Sequence, residues 1–293
     1  MKRGKGLLNY NFRTRKGVSP IVSTVILMGI TLFCISFTLS FVQQNLNRRS
    51  GENEFTLAKT FMKNIGLSTD DVAWHNGQEN TIQYSSQSAE IHLREGLIHY
   101  KIEVMKVGSS SYVELNETRD TYYNVLFYDM PTTKYSLDNT YFEEILPGEM
   151  TSIVQNTTDS PITRVFALQR PPRIDENYYI SVGVAPIIRG VQFNVTTGTG
   201  STSRYIKLYL VNFAKGALTT ANPRYITLTG GDVQAVLVPH IKSIKITVLF
   251  PKTSYGYDAN FFDFPQITQQ IDFGSSEAQL ELYSGTVEVG FLE

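Results

Sequence analysis

The N-terminal part of the chain is dominated by one long run of apolar residues. Residues 21–42 are almost continuously apolar, and no charged residue occurs from 17 to 47. As a helix, those 22 residues span roughly 33 Å, close to the ~30 Å hydrocarbon core of a bilayer. A core helix of a soluble protein is the alternative, but such a helix rarely stays uncharged on every face over this length. The pattern predicts a transmembrane helix over about residues 20–44.

The apolar run continues into an amphipathic segment. Five apolar side chains recur there at helical spacing on one face, and they are Phe55, Ala58, Phe61, Met62 and Ile65. The following Gly66 is well placed to end the helix. We therefore expect one N-terminal helix over residues 18–65, whose second half packs against a globular head.

Beyond the helix the pattern changes to that of β-strands. Runs at 97–107, 122–128, 178–184, 204–212 and 243–248 are rich in Val, Ile, Tyr and Thr, and many alternate polar with apolar positions. Turns rich in Gly and Ser separate them, as at 108–111 and 198–201. The pattern favours an α+β chain with a mainly antiparallel, β-sandwich-like head over residues 66–293. Residues 170–173 (Arg-Pro-Pro-Arg) would join two lobes or form a loop within one, and both alternatives stay open.

Charge and cysteine content narrow the classes of function. The net charge is -1, and no basic residues interleave with the aromatic ones, so the sequence predicts no nucleic-acid partner. The single cysteine, Cys34, lies within the apolar run, which excludes a disulfide framework and a Cys-based zinc site.

Charge is nevertheless unevenly distributed near the N-terminus. The first seventeen residues contain no acidic residue and six basic ones: Lys2, Arg3, Lys5, Arg13, Arg15 and Lys16. By the positive-inside rule this leader, residues 1–17, lies in the cytoplasm, and the chain after Arg48 lies outside.

The junction between the leader and the helix carries further information. Ser19 is a good N-cap, and Pro20 suits the first helical position because its missing N–H would be unpaired there. Proline also pushes the preceding residue towards an extended backbone. The Gly17–Val18 bond is therefore expected just outside the helix, where a protease can reach it. A removable secretory signal would be shorter and would end at a small-residue site, which residues 41–46 do not offer.

The run Lys-Gly-Val-Ser-Pro-Ile-Val at residues 16–22, followed by an apolar helix, resembles the class III signal of archaeal type IV pilins. A weaker likeness to pilin-like proteins follows over 62–84. Bacterial type IV pilins usually carry Glu at the fifth mature position, where this chain has Val22, in agreement with the archaeal branch. The resemblance implies that a prepilin peptidase cuts after Gly17, with Lys16 before the cut and Val18 as the first mature residue. The partners that it implies are the peptidase, other pilin subunits, a pilus assembly platform with its ATPase, and the membrane.

Two stripes of small or hydroxylated residues lie on nearly opposite sides of the predicted helix: Thr24, Thr31 and Thr38 on one, and Gly29, Ser36 and Ser40 on the other. Such residues let helices approach closely in membranes. Two stripes suit a helix packed on several sides, as in a filament core. Isolated Ser and Thr are also simply tolerated in membrane helices, and the pattern does not separate these alternatives.

No pattern in the chain indicates catalysis, a metal or a cofactor. The four histidines have no ligand spacing, and there is no nucleophile elbow of the Gly-x-Ser-x-Gly type. The carboxylate pairs at 70–71 and 143–144 are interpreted as helix starts or solvated surface. Three sequons, at Asn116, Asn156 and Asn194, are candidate N-glycosylation sites near predicted turns, although about three would arise by chance.

The sequence therefore predicts a structural subunit, major or minor, of an archaeal type IV pilus-like surface filament with an adhesive role. The alternative is a membrane-anchored monomeric extracellular binding protein that shares the N-terminal signal. A surface-anchored hydrolase is a third and weaker hypothesis.

Overall fold

The structure is a computed structural model that describes residues 20–84, 89–115, 122–133, 135–169, 179–196, 202–218, 225–274 and 277–292. Its elements in chain order are α1 (Pro20–Val72), β1 (Glu79–Gln83), β2 (Glu90–Lys106), β3 (Val113–Glu114), β4 (Tyr123–Pro131), β5 (Phe142–Leu146), β6 (Val154–Gln155), β7 (Thr163–Leu168), β8 (Tyr179–Pro186), β9 (Ile188–Thr196), β10 (Thr202–Leu218), β11 (Tyr225–Leu249), a 3₁₀ turn (Thr253–Tyr255), α2 (Ala259–Phe262), β12 (Thr268–Asp272) and β13 (Ala278–Leu292).

The described residues divide into two compact units, one that ends at Arg48 and one that begins at Arg49. This division differs from the boundary expected at residue 66, because the second half of α1 belongs to the same unit as the sheet. We call residues 49–293 the head. Residues 170–173, the expected joint between two lobes, lie outside the described residues.

The second half of α1 packs against the sheet through the apolar face that the sequence predicted. Phe55, Ala58, Met62 and Ile65 are buried, and Phe61 is half-buried against the rings of Tyr84 and Tyr128. Burial of a large apolar side chain stabilises a fold by about 1.5–3 kcal/mol, so this face fixes the helix firmly in the head.

The expected helix end at Gly66 is wrong, because α1 continues to Val72. Gly66 has a packing role instead. A Cβ at this position would lie 2.7 Å from Val165 Cγ2 and 3.1 Å from Thr163 Oγ1. The Thr163 hydroxyl donates a 2.9 Å hydrogen bond to the Gly66 carbonyl oxygen. The glycine therefore allows the helix backbone to approach β7 closely.

The described strands of the head form one 13-stranded sheet with the order β5-β7-β8-β4-β2-β11-β13-β10-β9-β6, to which β1 and β12 add on β11 and β3 adds on β2. Strands account for about half of the residues that the structure describes, so the prediction of one long apolar helix followed by a mainly β head is confirmed. A sandwich of two facing sheets is not confirmed, because the single sheet curls into a half-barrel.

The pairing is mainly antiparallel, with one long exception. The C-terminal strand β13 inserts between β11 and β10, and it runs antiparallel to β11 but parallel to β10. The two-residue strand β6 also pairs in parallel with β9. Both β2 and β11 change partners along their length. The first half of β2 pairs with β4, and its second half pairs with β11. These two long strands therefore make the sheet continuous.

Each face of the sheet carries its own apolar core. Along β4, Leu126 and Tyr128 belong to the core that α1 covers, whereas Val125 and Phe127 belong to the core that contains α2. We call these the α1 face and the α2 face. Every residue of β7 is buried, which shows that this strand is covered on both faces. Strands buried on both faces have continuous apolar runs rather than alternating ones.

Candidate functional site

The first part of α1, residues 20–48, is the feature with the clearest functional meaning. Its most apolar stretch is not buried at any position. From 20 to 49 every side chain is exposed, including those of Leu32, Phe33 and Phe37. Among the described residues, α1 is the one helix long and apolar enough to cross a membrane. So large an apolar surface on every side needs lipid or other protein to cover it.

The hydroxyl groups of the threonine stripe are bonded within the helix itself. Thr24, Thr31 and Thr38 each donate to the carbonyl oxygen four residues earlier, at 2.5, 2.7 and 2.7 Å. Since a bilayer core offers no water, such internal bonds remove the cost of an unpaired hydroxyl. The threonine stripe therefore suits an apolar environment without requiring a second helix.

The second stripe differs because it contains a residue without a side chain. Ser40 donates to the Ser36 carbonyl oxygen at 3.0 Å, whereas a Cβ at Gly29 would meet nothing within 4 Å. The space beside Gly29 is thus open to a neighbour. Packing of either stripe against another helix stays a prediction.

The expected cleavage residues lie outside the described part of the chain. Lys16, Gly17, Val18 and Ser19 are not described, and Pro20, the first described residue, is already helical. Of the three sequons, Asn116 also lies outside the described residues. Asn156 and Asn194 are both exposed. Their positions are accessible to a modifying enzyme, and their glycosylation stays a prediction.

Two ion pairs tie α1 to the sheet of the head. Lys59 Nζ lies 3.0 Å from Glu143 Oε2 on β5, and the Tyr141 hydroxyl also donates to Glu143. Burial acts to raise the pKa of Glu143, but the hydrogen bonds from Tyr141 and Lys59 outweigh it and hold the pKa below its usual value. Near the end of the helix, Arg189 Nη1 lies 2.9 Å from Asp70 Oδ2.

The interpretation of the two carboxylate pairs as helix starts or solvated surface is therefore wrong in part. Asp70 lies in the last turns of α1, where it also accepts a 3.2 Å hydrogen bond from Trp74 Nε1. Glu143 and its neighbour Glu144 both lie in a strand, and each of them binds a cation from a different element.

The pair of Arg164 and Glu144 is the most deeply buried ion pair of the described residues. Arg164 Nη2 and Nε lie 2.5 and 2.8 Å from Glu144 Oε2, and Nη1 donates to the Phe262 carbonyl oxygen at 2.5 Å. Burial raises the pKa of Glu144, although the hydrogen bond and charge of Arg164 act to lower it. Three rings surround the guanidinium, at 5.2–5.5 Å, and these are Phe142, Phe166 and Phe264. This cluster joins β5 and β7 to the α2 segment.

The depressions of the head do not assemble a catalytic set among the described residues. One depression of about 470 Å³ is lined by Asn76, Gly77, Thr229–Asp232, Thr286 and Glu288. A smaller groove of about 220 Å³ runs beside α1 and is mostly apolar, with Leu57, Phe61 and Tyr128 in its walls. No group of three or more metal-ligating side chains occurs in the described part of the chain.

Comparison with known proteins does not assign the chain to a family. No protein-family model, no curated protein and no solved structure matches it.

Proposed function

We propose that this protein is a structural subunit of an archaeal type IV pilus-like surface filament. In this proposal a prepilin peptidase cuts the precursor after Gly17. The apolar part of α1 then leaves the bilayer and packs with the same helix of other subunits. The head faces outward and supplies the surface contacts, including adhesion. Other pilin subunits and an assembly platform with its ATPase are the partners of this function.

The observation that supports the proposal is the complete exposure of residues 20–48 in a chain whose next helical residues are firmly packed in the head. Phe55, Met62 and Ile65 are buried within the head, whereas no described residue covers the side chains of residues 20–48. A helix of this kind can exchange lipid for copies of itself, because both surroundings bury the same apolar surface. The signal-like run at 16–22 favours the polymer over a permanent anchor.

The single cysteine gives a direct test, because Cys34 lies in this exposed part of the helix. Surface material is sheared from cells and treated with a bismaleimide cross-linker with a reach of about 10 Å, a distance similar to the spacing of packed helices. Because each chain offers one thiol, the proposal predicts a covalent dimer in the sheared fraction and no dimer for Cys34→Ser. If the chain stays entirely in the membrane fraction as a monomer, the anchored binding protein becomes the better hypothesis.

A further inference from the structure

One strand edge of the head is open between two covered stretches. On the side of β11 that faces away from β13, β1 pairs with Tyr225–Thr229 and β2 pairs with residues from Ile241 to Leu249. Backbone bonds from Gly77 and Val107 to the carbonyl oxygens of residues 230 and 240 close the two ends. Among the described residues, none pairs with Val233–Val238 on that side. We call Val233–Val238 the open edge.

The chemistry of the open edge is unusual for an unpaired strand. Its sequence, Val-Gln-Ala-Val-Leu-Val, contains no charge, no proline and no glycine. Its six residues keep an unbroken register with β13, and the irregularities of β11 lie at either end of it. Natural proteins usually protect an edge with charges, proline or a bulge, because unpaired N–H and C=O groups are a template for another strand. Here these protective features flank the open edge and are absent from it.

The side chains of the open edge divide between the two faces of the sheet. Val236 and Val238 pack with the core of the α2 face. Val233, Ala235 and Leu237 point to the opposite face and are exposed, with Leu237 exposed by 61%. The result is a row of three exposed apolar side chains directly beside an unpaired backbone.

We propose that the open edge binds an extended, uncharged peptide segment of another protein, about six residues long, as an additional strand. Backbone hydrogen bonds would supply affinity, and the exposed row would select apolar side chains at alternate positions of the peptide. This proposal concerns the head alone, so it holds whether the protein forms filaments or stays anchored as a monomer.

The neighbouring strands limit the length of the partner. Because β1 and β2 lie in line with the incoming segment, the segment is confined to the gap between them. Six residues at roughly 3.3 Å each span about 20 Å, after which the bound chain must turn away from the sheet. The same restriction excludes pairing with β11 of a second copy. That strand has 25 residues and would run into β1 and β2 at both ends.

The charges around the open edge favour an uncharged partner. Leu237 lies opposite Glu281 of β13, whose carboxylate is already bound by Lys207 at 3.0 Å and by the Tyr283 hydroxyl at 2.8 Å. Ala235 lies opposite Tyr283 itself. Among the described residues of the row none is charged, so a charged side chain of the partner would meet no counter-ion there. A Val, Ile or Thr side chain would extend the apolar contact.

Hydrogen exchange of the full chain in detergent micelles tests this proposal. The probe is acetyl-Thr-Val-Thr-Val-Thr-Val-amide, and the control peptide has proline in place of each valine, since proline cannot donate to a strand. We expect a saturating concentration of the probe to slow exchange at least tenfold for those amides of residues 233–238 whose N–H groups face away from β13. The control peptide should leave their exchange unchanged.

Two variants distinguish binding at the open edge from nonspecific binding of the probe. Leu237→Lys places a charge on the exposed row without removing a buried contact, and it should weaken probe binding at least tenfold. Leu249→Lys is the matched control, because Leu249 is also exposed on β11 but is paired with His99 of β2. The Leu249→Lys variant should bind the probe as tightly as the unaltered protein does. Near-UV circular dichroism verifies that both variants are folded.

Three results would overturn the proposal. The first is unchanged exchange at 233–238 with 1 mM probe. The second is equal protection in Leu237→Lys and the unaltered protein. The third is disulfide-linked dimers of Gln234→Cys in a Cys34→Ser background, because they would assign the edge to a second copy of this chain.

Discussion

Removal of Arg164 should destabilise the head far more than removal of an exposed cation. Arg164 is 1% exposed and is held by Glu144 and by the carbonyl oxygens of Phe262 and Asp263. Arg164→Met would leave the Glu144 carboxylate buried without its counter-ion. Breaking a buried pair in this way costs about 3–5 kcal/mol. Lys207→Met, which breaks the more exposed pair with Glu281, is the control and should cost about 0–1 kcal/mol.

The assay is urea unfolding of the full chain in detergent micelles, followed by near-UV circular dichroism of the aromatic core. The double variant Arg164→Met/Glu144→Met tests the mechanism, because it removes the stranded charge as well. We expect it to be more stable than Arg164→Met alone, with a coupling of roughly 2 kcal/mol. If the two single effects simply add, the pair is not a coupled unit and the reasoning fails.

The pH dependence of the stability of Arg164→Met gives an independent test of this reasoning. Burial already raises the pKa of Glu144 in the folded head, and the loss of Arg164 should raise that pKa further. A carboxyl whose folded pKa is raised contributes stability below its unfolded pKa of about 4.3, and that contribution is lost as the pH rises through the folded pKa. The variant should therefore recover part of its lost stability as the pH falls from the raised folded pKa of Glu144 towards about 4.3, with no further recovery below that value.

Three further predictions concern α1. Gly29→Glu should abolish filaments, because it places a charge in the apolar helix, whereas Gln192→Glu at an exposed position of β9 should not. Electron microscopy of sheared material distinguishes the two variants, and equal filament yield would count against a polymer core. Gly66→Val should lower the free energy of unfolding by about 1–3 kcal/mol, since its side chain would overlap Val165 on β7, and an unchanged urea midpoint would contradict this packing. The ion pair with Lys59 lowers the pKa of Glu143, so its contribution to the free energy of unfolding is present above pH ~4.3 and is lost as the pH falls. Lys59→Met should therefore lose less stability than the unaltered protein between about pH 5 and 3. An unaltered dependence of stability on pH would exclude this contribution.

The helix was predictable because its determinants are local. The uncharged run over 21–42 and the spacing of the apolar residues from Phe55 to Ile65 depend only on the 3.6-residue repeat. The helix end was not predictable in the same way. Glycine commonly follows a helix, but Gly66 is set by the approach of β7, which is about one hundred residues away in sequence.

Five of the thirteen described strands were predicted as segments, wholly or in part, but the arrangement of the strands was not predicted. Alternation predicts one buried face, whereas β7 and much of β4 are buried on both faces and therefore lack the alternation of apolar with exposed polar residues. The insertion of β13 between β10 and β11 has no local signal, because any strand of suitable pattern could pair there. The same limit applies to charged groups. Adjacent Glu143 and Glu144 bind cations from α1 and β7, and neither partner is near them in sequence.

The open edge was likewise hidden within a recognisable strand. The run at 243–248 predicted the second half of β11, where β2 and β12 cover both sides. The first half reads as ordinary apolar strand sequence. Val233–Val238 has no described partner on one side because β1 and β2 end before they reach it, and the sequence does not show where they end.

The most direct test of the filament proposal is the mass of the N-terminal peptide of the protein purified from its native host. Processing by a prepilin peptidase predicts a mature chain that begins at Val18, without the six positive charges of the leader. Loss of those charges frees the inner end of the helix to leave the bilayer. A mature protein that still begins at Met1 would contradict the proposal and favour a permanently anchored surface protein.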